Sequence, residues 1–258
     1  MDLSSISPAL LIASLMVSAT PILLAAIGEA VVERSGVLNL GVEGMMIMGA
    51  VVGFAVAINT QSPLFGFFCA AIAGALLSLS FGLLTQLLLS NQVATGLGLT
   101  MVGLGLSALI GKPYEGMKSV TILSDIPIFG IMLFSHDLMV YFSIFLVGVV
   151  WAFLKFSRAG LVLRAVGENH DAAYALGYKV IRIRFMAIMF GGACSGLGGA
   201  YISLVRVPQW TEGMTTGAGW IALAIVVFAS WKLWRVLIGA YLFGGVTVLQ
   251  LNLQAAGL

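Results

Sequence analysis

The chain has 258 residues, of which 60% are hydrophobic and only 9% are charged, and its mean hydropathy is +1.10. This balance excludes an ordinary soluble domain and indicates a polytopic membrane protein. The formal net charge is only +2, but half of the twelve basic residues lie in one segment, 155–184. Because Lys and Arg resist translocation, this segment is expected to face the cytoplasm.

The first charge-free run, residues 3–28, is long enough for one helix across about 30 Å of hydrocarbon. The residues before it lack the positively charged region of a cleavable signal peptide, so this run is expected to be retained as a span.

Residues 28–50 interleave charged side chains with glycines: Glu29, Glu33, Arg34 and Glu43 with Gly28, Gly36, Gly41 and Gly44. This pattern predicts backbone that lines a polar cavity, such as a broken helix or re-entrant turn near 33–44. A plain cytoplasmic loop is the alternative. Asn39 and Glu43 are four residues apart and are expected on one helical face. Glu43, an ionisable residue at the edge of a span, is a candidate functional residue.

Apolar runs predict seven further spans, at 42–58, 64–89, 94–111, 138–154, 185–205, 219–230 and 236–253. The sequence therefore predicts an all-α bundle of about eight transmembrane helices in one domain, residues 1–258. By parity, 112–137 and 206–220 lie outside, and Ile126–Phe134 is too short to span.

Small residues recur at helical spacing in two of these spans and predict close helix packing. They are Gly96, Thr100, Gly103 and Ser107 in one span, and Gly192, Gly196 and Ala200 in the other. Trp210 and Trp220 are expected at the membrane interface. Gly217 and Gly219 predict an irregular start to the following helix, as a site near a pore would need.

The basic segment contains a second pattern. Asp171, Ala172 and Ala173 are followed by three residues and then by Gly177, which can end a short helix in the left-handed conformation. An ordinary basic loop is the alternative. The pattern resembles the cytoplasmic coupling loop of ATP-binding-cassette importer permeases. That resemblance implies that Glu168, Asn169, Asp171, Ala172, Ala173 and Gly177 contact a separate ATPase.

A more specific resemblance lies at the predicted break, in Gly36, Asn39, Gly41, Glu43 and Gly44. This stretch is similar to permeases of the simple-sugar, nucleoside and branched-chain amino acid importer family, with Glu33-Arg34-Ser35 most like the nucleoside and simple-sugar branch. The resemblance, over about 28–250, implies an ATP-driven importer of a nucleoside or simple sugar in the bacterial cytoplasmic membrane. It also places these residues and Trp220 along the translocation pathway. Related permeases continue with a further apolar segment, so the chain is expected to be truncated or naturally short.

The implied partners are an ATPase subunit, a second permease copy or homologous permease, an extracytoplasmic binding protein and membrane lipid. The sequence has no P-loop, so ATP hydrolysis is expected on the other subunit. No catalytic residue, metal site, cofactor or nucleic-acid role is predicted. The alternatives are an ion-coupled secondary transporter or channel, which would need ionisable residues deep in its spans, and a passive scaffold for other subunits.

Overall fold

The computed structural model describes residues 8–118, 126–127 and 135–255, and these residues form the predicted all-α bundle. The long helices are α1 (Pro8–Arg34), α2 (Val42–Thr60), α3 (Pro63–Gly82), α4 (Gln92–Gly111), α5 (Leu138–Phe156), α8 (Val180–Tyr201) and α10 (Leu233–Ala255). The shorter helices are α6 (Arg158–Glu168), α7 (His170–Ala175) and α9 (Ala218–Phe228). A π-helical turn ends both α3 (Leu83–Leu87) and α8 (Ile202–Arg206), and a 3₁₀ turn (Lys112–Tyr114) follows α4.

The number of membrane-length helices is seven in the described part of the chain, not the predicted eight. The difference lies at 219–230, where the expected span is the 11-residue helix α9. At 1.5 Å per residue this helix is about 16 Å long, roughly half the hydrocarbon thickness. The other predicted spans coincide with long apolar helices.

Polar side chains fix where several helices begin. The N-cap residues of α3, α4, α5, α6 and α7 each accept a hydrogen bond from a backbone N–H in the first turn; they are Ser62, Asn91, Asp137, Ser157 and Asn169. Such caps satisfy donors that have no partner inside the helix. Asp137 also joins two helices, because its second carboxylate oxygen accepts the Tyr201 hydroxyl at 2.7 Å.

Helix α8 lies at the centre of the bundle and packs against α1, α2 and α3. The glycines of its predicted seam make this contact possible. A methyl group added at Gly199 would lie 1.8 Å from the Met46 carbonyl oxygen, and one at Gly196 would lie 2.3 Å from the Ala70 carbonyl oxygen. The backbones therefore touch, as small residues in transmembrane helices allow.

The small residues of α4 form a similar contact with α2. Gly96, Thr100, Gly103 and Ser107 are all buried. A methyl group at Gly103 would lie 2.6 Å from the Gly44 carbonyl oxygen, and the Thr100 hydroxyl donates to the Leu40 carbonyl at 3.2 Å. The predicted packing role of this face is confirmed.

We name the two ends of the bundle by their residues. The basic end carries Arg34, Lys155 and helices α6 and α7, and the opposite end carries the 111–118 and 207–211 loops. At the opposite end, short strands β1 (Ile126–Pro127) and β2 (Ser135–His136) pair antiparallel. The expectation for Ile126–Phe134 otherwise lies outside the described residues.

Trp210, which is predicted at the membrane interface, is buried in the protein. Only 1% of it is exposed, and it packs beside Phe54 and Tyr201 in a core cluster. Its indole lies against the end of α4, because a methyl group at Gly111 would stand 2.1 Å from the Trp210 Nε1. Gly111 leaves the space that the ring fills.

Candidate functional site

The predicted break is present between α1 and α2, where residues 35–41 are non-helical. Ser35, Val37 and Asn39 are buried while the residues between them are more exposed. At the start of the break, Gly36 has φ +81°, a conformation that side-chain-bearing residues avoid.

Asn39 belongs to the turn before α2, so the expectation that it shares a helical face with Glu43 is wrong. Its Oδ1 accepts the Gly41 N–H at 2.9 Å, and its own N–H donates to the Glu29 carboxylate at 3.2 Å. A side chain that bonds the backbone two residues on favours a turn over a helix. Asn39 thus sets the position at which α2 begins.

Glu43, in the first turn of α2, is 4% exposed, and both of its carboxylate oxygens are occupied. Oε1 accepts the Thr215 hydroxyl at 2.8 Å, and Oε2 accepts the Gly219 backbone N–H at 2.8 Å. These donors begin α9, so Glu43 places a negative charge at the positive end of a helix dipole.

A second non-helical segment, residues 211–217, places the start of α9 beside Glu43. Trp210 contacts the end of α4 at the opposite end of the bundle, whereas the Trp231 indole donates to Glu33 near the end of α1. The chain therefore runs from one end to the other as non-helical residues 211–217 followed by α9. Gly217, at φ +88°, turns the chain into the helix, as the sequence predicts for an irregular helix start.

Gly219 allows the two broken segments to meet, since a methyl group there would lie 2.6 Å from the Glu43 backbone nitrogen. Trp220 follows Gly219 and is 38% exposed. The predicted pathway residues Asn39, Gly41, Glu43 and Trp220 are therefore gathered around the starts of α2 and α9. Irregular backbone at membrane depth is tolerated where protein or a cavity satisfies its polar groups.

Two other predicted pathway residues have different neighbours. Gly44 faces α4, where a methyl group would lie 2.8 Å from the Leu99 carbonyl oxygen. Gly36 lies against Gly167 of α6, because a methyl group at Gly36 would lie 3.1 Å from the Gly167 Cα. Gly44 therefore has a packing role, and Gly36 touches the segment predicted to couple to an ATPase.

Sequence reasoning missed several polar residues around the break. Arg184 donates to the Ser35 carbonyl at 3.2 Å and to the Gln86 side chain at 3.3 Å, which ties the start of α8 to the break and to α3. Thr215 is 1% exposed and completes the Glu43 site. A buried threonine in a turn has no sequence signal, but an arginine one turn into an apolar helix could have been noticed.

The predicted coupling residues form a compact turn between α6 and α8. Glu168 ends α6, Asn169 caps α7 by accepting the Ala172 N–H at 2.9 Å, and Gly177 has φ +83°. The Tyr178 N–H bonds the Ala173 carbonyl, which completes a Schellman ending. The left-handed role predicted for Gly177 is confirmed.

The side-chain directions on α7 correct one expectation. Ala173 is 3% exposed and packs on Val166 and Val180 of its own chain, so it does not face a partner's groove. The large exposed side chains of α7 and the turn after it are Tyr174 at 48%, Leu176 at 76% and Tyr178 at 43%. The apolar surface that α7 presents therefore lies beside the alanine pair.

Comparison with known proteins identifies the family. Residues 11–256 match the family described as the permease component of the branched-chain amino acid transport system. A Haloferax volcanii protein named "Putative glucose ABC transporter permease protein TsgC13" is 41% identical over 93% of this chain and 77% of its own length. The guanosine ABC transporter permease protein NupQ of Bacillus subtilis is 31% identical, over 91% and 80% respectively. The nucleoside ABC transporter permease protein NupC of Lactococcus lactis is 28% identical, over 93% and 81%.

No solved structure matches the chain at a significant level. The family match spans nearly the whole sequence, and the long apolar helices agree with a multi-pass membrane protein. The alternatives of a secondary transporter, a channel or a scaffold are not favoured. The chain belongs to the branched-chain amino acid transport system permease family, as a membrane-spanning subunit of an ATP-driven importer whose ATPase is a separate subunit.

Proposed function

We propose that this permease, one domain over residues 1–258, carries a neutral, hydroxyl-rich solute, a nucleoside or a simple sugar. A binding protein would deliver the solute at the opposite end of the bundle. The relatives named for glucose, guanosine and nucleosides support this class. The observation that carries the proposal is the pairing of Glu43 with protein donors on both oxygens. Both oxygens of this carboxylate are already bonded to the protein and are not free to bind a charged solute, which suits an uncharged one.

In this proposal the pathway passes the two broken segments, at Asn39, Gly41, Glu43 and Trp220. Uptake into vesicles that contain the permease, its ATPase and its binding protein tests the solute class. Labelled guanosine or glucose should accumulate with ATP, and labelled glutamate should not. Selective uptake of glutamate would contradict the proposal.

We also propose that α7 and the turn after it dock the ATPase. The support is an apolar surface, Tyr174 and Leu176, on an otherwise polar segment outside the spans. Large exposed apolar side chains flanked by polar ones mark protein interfaces. Glu168, Asn169, Asp171 and Ala172 lie around this surface, and Ala173 and Gly177 hold its shape.

A matched pair of variants tests the docking surface. Leu176→Glu should release the ATPase, because a charge cannot enter an apolar pocket without losing its hydration. Leu89→Glu is the control, since Leu89 is 83% exposed in the α3–α4 loop at the same end of the bundle. Co-purification of the ATPase is the measurement. Equal recovery with both variants would overturn the assignment of α7.

The permease is further proposed to act as a pair, with itself or with a homologous permease, because each chain offers one coupling turn. Native mass measurement of an active complex should show two permease chains. An active complex with a single permease chain would refute this.

A further inference from the structure

A polar cavity of about 390 Å³ opens at the basic end, between α1, α5, α6 and the turn that joins α9 to α10. It is separate from the Glu43 site and from α7. Four cationic side chains line it: Arg34, Lys155, Arg164 and Lys232. They come from four different elements of the chain, so the fold brings together charges that are distant in sequence.

These charges have no acidic partners within the described residues. There, no carboxylate lies within 4.0 Å of any of the four cations. The Arg164 Nε is buried without a protein hydrogen-bond acceptor, and such a group is ordinarily satisfied by a water, an ion or a ligand. Glu33 lies beside the cavity, bonded to the Trp231 indole. One negative charge therefore stands against four positive ones.

The turn that completes the cavity adopts an uncommon backbone conformation. Ser230 and Trp231 have φ of 52° and 57°, and neither is a glycine. The Trp231 carbonyl accepts Arg34 Nη2 at 3.4 Å, which fixes the turn to the end of α1. Left-handed non-glycine residues persist where the surrounding structure holds them.

Three tryptophans and two leucines form the rest of the wall: Trp151, Trp231, Trp234, Leu154 and Leu233. Lys155 Nζ lies 4.9 Å from the centre of the Trp151 ring, a cation–π contact. Tryptophan concentrates at the level of lipid headgroups. Exposed apolar side chains continue along α5 and α10 from this point, among them Phe153 and Ile238.

We propose that this cavity binds the phosphate headgroup of an anionic phospholipid from the leaflet at the basic end, with the acyl chains along α5 and α10. Basic pockets between membrane helices suit such headgroups. A soluble phosphate would satisfy the same cations. The tryptophan wall and the apolar surfaces that continue from it favour the lipid.

The test is native mass spectrometry of the purified full-length chain with added phosphatidylglycerol or phosphatidylcholine. The unmodified chain should retain phosphatidylglycerol preferentially. Arg164→Gln and Lys232→Gln should each weaken retention about fivefold, as expected for one cation at a membrane surface. Arg182→Gln is the control, because Arg182 is an exposed cation of the same basic segment outside the cavity.

Three results would overturn the lipid assignment. The first is equal retention of both lipids, and the second is retention unchanged by Arg164→Gln and Lys232→Gln. The third is displacement of phosphatidylglycerol by millimolar inorganic phosphate, which would assign the cavity to a soluble anion.

A second measurement needs no variant, so it stands even if a substitution prevents folding. A photoreactive phosphatidylglycerol is cross-linked to the unmodified chain and the labelled peptides are mapped. Labelling at 151–156 and 229–238 supports the site. Labelling confined to the exposed faces of α3 and α4 contradicts it.

Discussion

Replacement of Glu43 tests whether this carboxylate holds α9 in place. It bonds the Thr215 hydroxyl and the Gly219 N–H, each at 2.8 Å and both buried. In Glu43→Leu both donors lose their acceptor inside the protein. A buried donor without a partner costs about 1–3 kcal/mol, so the variant should lose about 2–6 kcal/mol of stability.

Glu43→Gln should cost much less. The amide oxygen can accept the Gly219 N–H, while the amide NH₂ donates to the Thr215 hydroxyl, which can act as an acceptor. What is lost is the charge beside the helix N-terminus, worth about 1 kcal/mol. In a Thr215→Val background the amide has no such acceptor, so the same substitution should cost about 1 kcal/mol more than in the unmodified chain.

Thermal unfolding of the purified permease in detergent measures the order of stability, which should be unmodified chain, then Glu43→Gln, then Glu43→Leu. Uptake by reconstituted complexes should follow the same order. If Glu43→Leu unfolds at the same temperature as the unmodified chain but changes solute affinity alone, the carboxylate contacts solute and does not hold α9.

Three further substitutions have expected outcomes. Glu29→Gln should leave the unfolding temperature unchanged or higher, because one carboxylate oxygen is buried without a partner and a neutral amide is less costly to bury; a marked loss of stability would contradict this. Gly199→Ala should reduce the free energy of unfolding by about 1–3 kcal/mol through overpacking and so lower the unfolding temperature. Gly105→Ala should leave that temperature unchanged, because the space around Gly105 is open. Gly167→Ala places a methyl group 2.2 Å from the Arg34 carbonyl, so we expect ATPase binding with reduced uptake; full uptake would contradict a coupling role for this contact.

The fold was largely predictable because it rests on local signals. Charge-free runs of membrane length located the long helices, and glycines at four-residue spacing located the α8 seam. The eighth helix was the exception, since an apolar run at 219–230 has the composition of a span. Its length in the structure is limited by Gly217 and by the contact with Glu43, and that contact joins residues far apart in sequence.

The candidate site was predictable only in part, for a similar reason. The glycines and acids near 33–44 indicated broken backbone, and the break is there. The partners of Glu43 could not be predicted, because Thr215 and Gly219 belong to a different segment. The direction of the Ala173 side chain was also not predicted. The sequence pattern indicates that a small residue is needed at this position, and the structure shows that packing within the same chain requires it.

Helix α7, which we propose docks the ATPase, and the Glu43 site are the two ends of one packed path. Ala173 packs against α6, and Gly167 at the end of α6 touches Gly36. Gly36 lies in the break that precedes α2, and Glu43 in the first turn of α2 bonds the start of α9. The contact between Gly167 and Gly36 involves backbone with no side chain between, so a displacement of α6 cannot be absorbed by a change of rotamer. We therefore predict that a movement imposed on α7 by an ATPase reaches the start of α9 through residues 35–41, and that Gly167→Ala reduces uptake because it blocks this movement.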